Sequence, residues 1–299
     1  MLTKYYNSVL THYTFFSATF FVFSHFLLCP SNYLKSVLWV SANHVLSACE
    51  AGTLLLHEIT IGTTSDQDRS FGNETNLATA TTKLSSNVVL THHLDVGVGI
   101  CALAYTELAL STASHIASQL PQSGASFADL GVTSAGLVVL GQTAGFVSVG
   151  LLLCCTTQVS GSRKINWKLL AVCRDRLHED DVRGVSMISN TSLSSTSQQS
   201  AQLDTNNLSS LYVLTTSFDN FSKIWGLRAS GADKNVLCLD LICSLEEHGD
   251  KVLSGALIQA NIGEPGSAIT ACNAVTTGAD GKAFFWPVAS NINFYVNSL

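Results

Sequence analysis

Short apolar runs alternate with small polar turns along most of the chain, and this pattern predicts β-hairpins. Four apolar runs that end in small or hydroxyl residues are each followed by a turn and a second apolar run: "HVLSACEAGTLLLH", "GLVVLGQTAGFVSVG", "LYVLTTSFDNFSKIW" and "NAVTTGADGKAFFW". Each turn has Gly or Asn where a tight hairpin needs a positive φ. The sequence therefore predicts one hairpin that occurs four times.

The last two hairpins carry the same anchor residues at the same spacing. The step from Asp219 to Trp225 equals the step from Asp280 to Trp286. The first two hairpins have alanine in place of the aspartate, and they end in histidine and glycine in place of tryptophan: Ala51 with His57, and Ala144 with Gly150. All four segments have the same six-residue step from the turn to the end of the second run, but the first two lack the aspartate and the tryptophan.

A histidine precedes three of these units, four residues before a valine, in the words "HHLDV", "HEDDV" and "HGDKV". These histidines are His92, His178 and His248. The valines, Val96, Val182 and Val252, begin the apolar runs "VGVGICALAY", "VRGVSMI" and "VLSGALI", which are typical of strands. The predicted unit is therefore a histidine, two strands, an aspartate turn and a third strand.

This unit resembles the WD40 repeat family, whose blades carry a histidine-led entry loop, an Asp-Gly-type turn and a closing tryptophan. The aspartate that often follows the tryptophan is absent, since "IWGL" and "FWPV" stand there. The resemblance implies an all-β, WD40-type β-propeller with about four recognisable blades over residues 37–290. Since family members mostly use more blades than this, the ring is expected to be either complete with few blades, partial or open.

In the family, the histidine, a strand hydroxyl, the aspartate and the tryptophan form a hydrogen-bonded chain. The resemblance places this structural network on His178, Thr216 or Ser217, Asp219 and Trp225, and again on His248, Thr276 or Thr277, Asp280 and Trp286. Thr216 and Thr277 are taken as the predicted hydroxyls. Such a network satisfies polar groups that are costly to bury alone, so its expected role is structural.

Polar stretches interrupt the predicted blades and are expected to be inserts. They lie near residues 62–87, 112–128 and 190–210, and they are rich in Ser, Thr, Asn and Gln. Residues 1–36 form an apolar N-terminal segment, and residues 291–299 are a C-terminal tail.

Composition excludes several classes of function. Hydrophobic residues make up 46% of the 299, enough for a sizeable core, while charged residues make up only 12% and the net charge is −6. A nucleic-acid partner is not expected, because phosphate binding needs clustered Lys and Arg. The nine cysteines form no CxxC pair, and no catalytic motif is present, so we expect no metal, no cofactor and no enzyme activity. The His92-His93 pair is interpreted as a surface loop.

The resemblance implies a non-catalytic scaffold or adaptor that binds other proteins through the propeller rim, in the cytoplasm, the nucleus or both. Residues 38–59, "LWVSANHVLSACEAGTLLLHEI", resemble an early blade of the methylosome type of WD-repeat adaptor, which presents substrates to an arginine methyltransferase. Nucleoporin-type propellers have comparable blades and are a second narrow alternative.

An alternative of another class is a signal-bearing or membrane-anchored glycoprotein of the secretory pathway. Its basis is the apolar run of residues 13–29, and a membrane is an expected partner only if that run is a real anchor. The run is short for a span and contains polar residues. Four sequons, at Asn73, Asn190, Asn207 and Asn220, would carry sugars only in a secreted chain.

Overall fold

The computed structural model describes residues 33–64, 81–94, 98–120, 130–159, 162–189, 211–229, 237–262 and 269–288. The fifteen strands within these ranges are β1 (Leu34–Ser41), β2 (His44–Cys49), β3 (Thr53–Thr64), β4 (Thr81–His93), β5 (Ile100–Leu108), β6 (Val132–Gln142), β7 (Phe146–Val159), β8 (Ser162–Arg176), β9 (Val182–Ser189), β10 (Leu211–Ser217), β11 (Ser222–Ala229), β12 (Leu237–Leu245), β13 (Val252–Ile262), β14 (Ile269–Gly278) and β15 (Ala283–Val288). One α-helix, α1 (Leu110–Ser118), and a 3-10 turn (Thr143–Gly145) complete the described elements.

The strands form four antiparallel sheets, each built from strands that are consecutive in the chain. The first sheet contains β1 to β4, the second β5 to β8, the third β9 to β12 and the fourth β13 to β15. Sheets that neighbour in the chain also pack against each other, as the blades of a propeller do. The predicted all-β, WD40-type propeller with four blades is confirmed.

The four hairpins have the same register, which is the frame that the sequence predicts. The residue that closes each hairpin, here called the closing residue, pairs with the residue twelve positions earlier: His57 with Val45, Gly150 with Val138, Trp225 with Val213 and Trp286 with Ala274. The turns are also alike, because the residue after the Asp or Ala position has a positive φ in each: 77° at Gly52, 80° at Gly145, 74° at Asn220 and 74° at Gly281.

The core lies between consecutive sheets. Leu46 and Leu56 of the first sheet pack with Ile100 of the second, and Val139 of the second packs in one cluster with Trp225 of the third. Leu214 of the third sheet belongs to a smaller cluster with residues of the fourth. The second and third sheets each pack against a sheet on either side, so they have apolar residues on both faces. This accounts for the long apolar runs of the sequence.

Two predicted inserts contain regular structure. β3 extends to Thr64 and β4 begins at Thr81, so the two ends of the polar stretch 62–87 belong to strands that pair with each other, in line with the strand preference of threonine. Helix α1 takes up part of the stretch 112–128, and it buries Ala113, Ile116 and Ala117 at helical spacing on the second sheet.

Several predictions fall on residues outside the described ranges. These are most of the segment 1–36, including the apolar run 13–29, the insert 190–210, the tail 291–299 and the sequons at Asn73, Asn190 and Asn207. Asn220 lies in the turn of the third sheet. Within the described residues, no helix is long and apolar enough to cross a membrane.

Candidate functional site

The third sheet contains a continuous chain of side-chain hydrogen bonds. His178 Nδ1 lies 2.8 Å from Asp219 Oδ2, and His178 Nε2 lies 2.7 Å from Thr215 Oγ1. The indole N–H of Trp225 donates to the same Thr215 Oγ1 over 2.8 Å. Since a carboxylate only accepts, His178 Nδ1 is the donor to Asp219. The chain joins the entry loop, the central strand, the turn and the closing strand of the blade.

The fourth sheet repeats this chain residue for residue. His248 Nδ1 lies 3.1 Å from Asp280, and His248 Nε2 lies 2.9 Å from Thr276 Oγ1. Trp286 Nε1 donates to Thr276 Oγ1 over 2.8 Å. The two networks therefore have one geometry.

The hydroxyl of each network is one residue earlier than the predicted Thr216 and Thr277, and in the fourth sheet it is Thr276, the other alternative there. Thr216 and Thr277 do not take part; Thr215 and Thr276 occupy the position. The reason is the alternation of side chains along a strand, which places neighbouring residues on opposite faces. Thr216 is fully buried on the other face, and its hydroxyl has no hydrogen-bond partner.

Each aspartate also accepts bonds from backbone N–H groups on both sides of the network. Asp219 accepts from Glu179 N in the entry loop and from Phe221 N in its own turn, each over 3.0 Å. Burial would raise the pKa of Asp219, but the bonds from His178 and from these two N–H groups outweigh it and lower the pKa to about 2. The aspartate is thus held as a carboxylate.

Asp280 accepts the equivalent backbone bonds from Gly249 N and Lys282 N, each over 3.1 Å. Burial would raise its pKa, and the two N–H groups followed by His248 more than compensate, so the pKa lies below its usual value. In both sheets, one carboxylate fixes the entry loop and the turn to each other.

The Asp219, His178 and Thr215 series has the order of a catalytic triad, but its hydroxyl is buried. Thr215 is fully buried and His178 is 3% exposed, so no substrate reaches the hydroxyl in this arrangement. The Thr215 oxygen is occupied by His178 and the Trp225 indole. This geometry serves to position loops, because every polar atom of the series bonds to another part of the blade.

The first sheet retains a shorter network that the sequence analysis missed. Ser47 Oγ lies 2.9 Å from His57 Nε2, and Ser47 and His57 occupy the positions of Thr215 and Trp225. The ten-residue step from Ser47 to His57, equal to that from Thr215 to Trp225, is the signal that could have revealed it. His57 Nδ1 is buried and has no hydrogen-bond partner, and Ala51 stands where the other two networks have the aspartate.

His92 does not occupy the entry-loop position that its spacing predicts. It lies in β4 of the first sheet, where it pairs with Leu54. Ile100 pairs with Gln142 at the point where Val182 pairs with Ser217, whereas Val96 lies outside the described residues. The extended hairpin of the first sheet displaces the repeat, so the histidine spacing coincides without the same structural position.

Charged and aromatic side chains lie around the turns of the third and fourth sheets. The Arg183 guanidinium lies 4.8 Å from the centre of the Phe218 ring, and Lys251 Nζ lies 4.6 Å from it. Arg183 belongs to the third sheet and Lys251 precedes β13 of the fourth. Phe218 thus joins two blades at the end where the networks hold the loops. We call Arg183, Phe218 and Lys251 the rim cluster.

No grouping of His, Cys, Asp or Glu with the geometry of a metal site occurs among the residues that the structure describes. Six cysteines in those ranges are free thiols: Cys101, Cys154, Cys155, Cys173, Cys238 and Cys243.

The comparisons with solved structures find propeller domains. One match is the β-propeller domain of Cps50 (Swd1) from Myceliophteria thermophila, with 12% identity and a TM-score of 0.40, over 86% of this chain and 52% of that chain. The WD40 β-propeller domain of Doa1 matches with 12% identity and a TM-score of 0.34, over 85% of this chain and 65% of that chain. The C-terminal WD40 domain of Sif2 matches with 9% identity and a TM-score of 0.39, over 86% and 46%.

This chain therefore spans between 46% and 65% of the length of those three chains. No protein-family model matches it, and a search of curated proteins found no match. At such identities and scores, the WD40-type fold rests on the sheets and networks described above.

Proposed function

We propose that this protein is a non-catalytic scaffold that binds other proteins through the loops at the rim of its blades. The observation that carries the proposal is the pair of Asp-His-Thr-Trp networks, which fix entry loops and turns to one rigid edge. A fixed backbone with outward side chains reduces the entropy that a partner must overcome on binding.

The exposed side chains of that edge supply the contacts. Glu179 and Asp180 lie in the entry loop of the third sheet and are exposed, while their backbone is held by Asp219 and Ser217. The rim cluster adds two cations and an aromatic ring beside them. A mixed surface of aromatic, cationic and acidic groups on a rigid backbone is suited to a protein partner.

The methylosome type of adaptor and the nucleoporin type of propeller are two narrower forms of this proposal. The segment 38–59 that suggests the first of them forms β2 and most of β1 and β3. A location in the cytoplasm or nucleus belongs to the same proposal. The six free thiols named above are consistent with a reducing compartment.

Affinity capture of the full chain from cells tests the proposal. The rim variant Arg183→Glu/Lys251→Glu reverses two charges at the edge, and Lys164→Glu/Lys168→Glu makes the same change at exposed positions of β8. We expect wild type and the β8 variant to retain the same proteins and the rim variant to lose them. Retention of all partners by the rim variant, or no protein retained above the tag alone, contradicts the proposal.

The secretory alternative is tested by glycosidase digestion of the protein expressed in cells. A mobility shift would show sugars on the sequons and would reject a cytoplasmic or nuclear scaffold. An unchanged mobility together with recovery in the soluble fraction favours the scaffold.

A further inference from the structure

The fourth sheet has an exposed apolar face on the side away from the third sheet. Phe285 is 63% exposed and Ile258 is 43% exposed on this face. Ala256 pairs with Val275, which pairs with Phe285, so these side chains form one row across the sheet. We call Ala256, Ile258, Val275, Phe285 and Pro287 the Phe285 face.

The same positions are buried in the other three sheets. The residue before each closing residue and its cross-strand partner are Leu56 with Leu46, Val149 with Val139, Ile224 with Leu214 and Phe285 with Val275. The first three pairs are at most 3% exposed, because the next sheet covers each of them. The Phe285 face is therefore the fourth copy of an interface, and no described residue covers it.

The contact between the third and fourth sheets shows what this kind of face binds. Leu214 and Ile224 pack in one cluster with Leu257, Ala274 and Trp286 of the fourth sheet. These side chains of the fourth sheet come from β13, from β14 and from the closing residue in β15. A closing tryptophan and two aliphatic side chains are thus the complement of such a surface.

The first sheet of a second copy is not free to supply that complement. Val45 and His57 stand where Ala274 and Trp286 stand in the fourth sheet, so they would have to face outward. They are only 1% and 3% exposed. The first sheet of a second copy would have to uncover these residues before it could pack on Phe285.

We propose that the Phe285 face binds a β-sheet of a partner protein, which packs on the fourth sheet as a further blade. This inference rests on the proposed scaffold function and adds the surface and the kind of partner. The interface continues the stacking of the chain's own blades, in which each sheet buries the equivalent row of the preceding one. The row of Ala256, Val275 and Phe285 is apolar, as the contact of two blades requires, and Asn273, which pairs with Ile258 and Pro287, is the polar member of the next row.

Site-specific photo-crosslinking of the full chain tests the inference. Phe285 is replaced by p-benzoyl-phenylalanine, and Ile165 of β8, which is 56% exposed, is replaced in a control chain. Both chains are irradiated in cells, and the crosslinked peptides are identified by mass spectrometry. The protein that is identified is then purified, and its affinity is measured for wild type, Phe285→Glu and Ile165→Glu.

We expect crosslinks from position 285 alone, to a strand of an antiparallel sheet in another protein. Phe285→Glu should weaken that complex by about tenfold or more, because it places a charge in an apolar interface, and Ile165→Glu should leave it unchanged. Phe285→Glu should also melt at the wild-type temperature, since the ring is 63% exposed in the free protein.

Crosslinks that lead only to this chain or to a second copy would overturn the inference. Equal crosslinking from position 165, or an affinity unchanged by Phe285→Glu, would do the same. A clear fall in the melting temperature of Phe285→Glu would show that the chain itself covers the ring, and would also overturn it. If wild type captures partners that Phe285→Glu retains, only this inference fails; if wild type captures none, the scaffold function fails as well.

Discussion

The replacement Thr215→Val removes the hydroxyl that joins the two halves of the network in the third sheet. It leaves His178 Nε2 and Trp225 Nε1 without their partner, and these residues are 3% and 5% exposed. Valine has nearly the same shape as threonine, so packing changes little. An unsatisfied buried polar group costs about 1–3 kcal/mol, so the free energy of unfolding should fall by about 2–4 kcal/mol.

Thr216→Val is the matched control. Thr216 is the next residue of the same strand and is equally buried, but its hydroxyl has no hydrogen-bond partner. Its side chain faces Gly184 and Gly255 on the opposite side of the sheet. Because no hydrogen bond is lost, the free energy of unfolding should change by less than about 0.5 kcal/mol or rise slightly.

Equilibrium unfolding in urea, followed by tryptophan fluorescence, measures both variants against wild type. A lower midpoint for Thr215→Val with an unchanged slope would show a loss of stability of the folded state. Equal losses in the two variants, or a larger loss for Thr216→Val, would refute the assignment of the hydroxyl to Thr215.

Three further predictions concern the aspartate and the turns. The pKa of Asp219 is lowered to about 2 from an unfolded value of about 3.9, so the stability it gives is complete above the unfolded value and is lost as pH falls through about 2. When unfolding is measured at decreasing pH, the difference in the free energy of unfolding between wild type and Asp219→Asn should shrink as the pH falls from about 5 to about 2. A difference that stays constant over this range would contradict the lowered pKa. Ala144 has a φ of 57°, a backbone conformation that is strained for alanine. Ala144→Gly should therefore stabilise the protein by up to about 1 kcal/mol in thermal unfolding, whereas Ala51→Gly, at a turn position without positive φ, should not. Equal effects of the two variants would contradict a strained backbone at Ala144. Gly145→Ala should lower the melting temperature much more than Gly281→Ala, because a Cβ at 145 would collide with a backbone carbonyl and one at 281 would meet open space; equal losses would show that the two turns are not packed as described.

The hairpin frame could be predicted from the sequence because it depends on local spacing. The turn residue with positive φ and the closing residue lie a few positions apart, so their order fixes the register. The common spacing of the four segments thus corresponds to one register, with Trp225 paired to Val213 in the third sheet. The face of the hydroxyl also follows from this register, because Thr215 shares the face of Val213 and Thr216 does not. The prediction did not use the alternation of side chains between the two faces of the strand.

The position of His92 could not be predicted, because it depends on the length of the hairpin in the first sheet. β4 begins at Thr81 within a Ser- and Thr-rich stretch that has the composition of a loop. Strand pairing over this stretch is a tertiary effect, since each residue there pairs with one of β3. The exposure of Phe285, at a position that is buried in the other three sheets, could not be predicted from the sequence either, because it depends on whether another sheet packs on that face.

The sheets that lack the aspartate show that the network is lost at low cost only as a unit. In the second sheet Leu140 and Gly150 occupy the positions of the hydroxyl and the tryptophan, and Ala144 replaces the aspartate. None of these side chains has a donor to satisfy, so removing all partners together leaves no unpaired group. The first sheet keeps the bond between Ser47 and His57, which leaves the second ring nitrogen, His57 Nδ1, buried and unpaired, and burial lowers the pKa of that histidine. Apolar packing from neighbouring sheets can replace the whole network, but it cannot satisfy half of one.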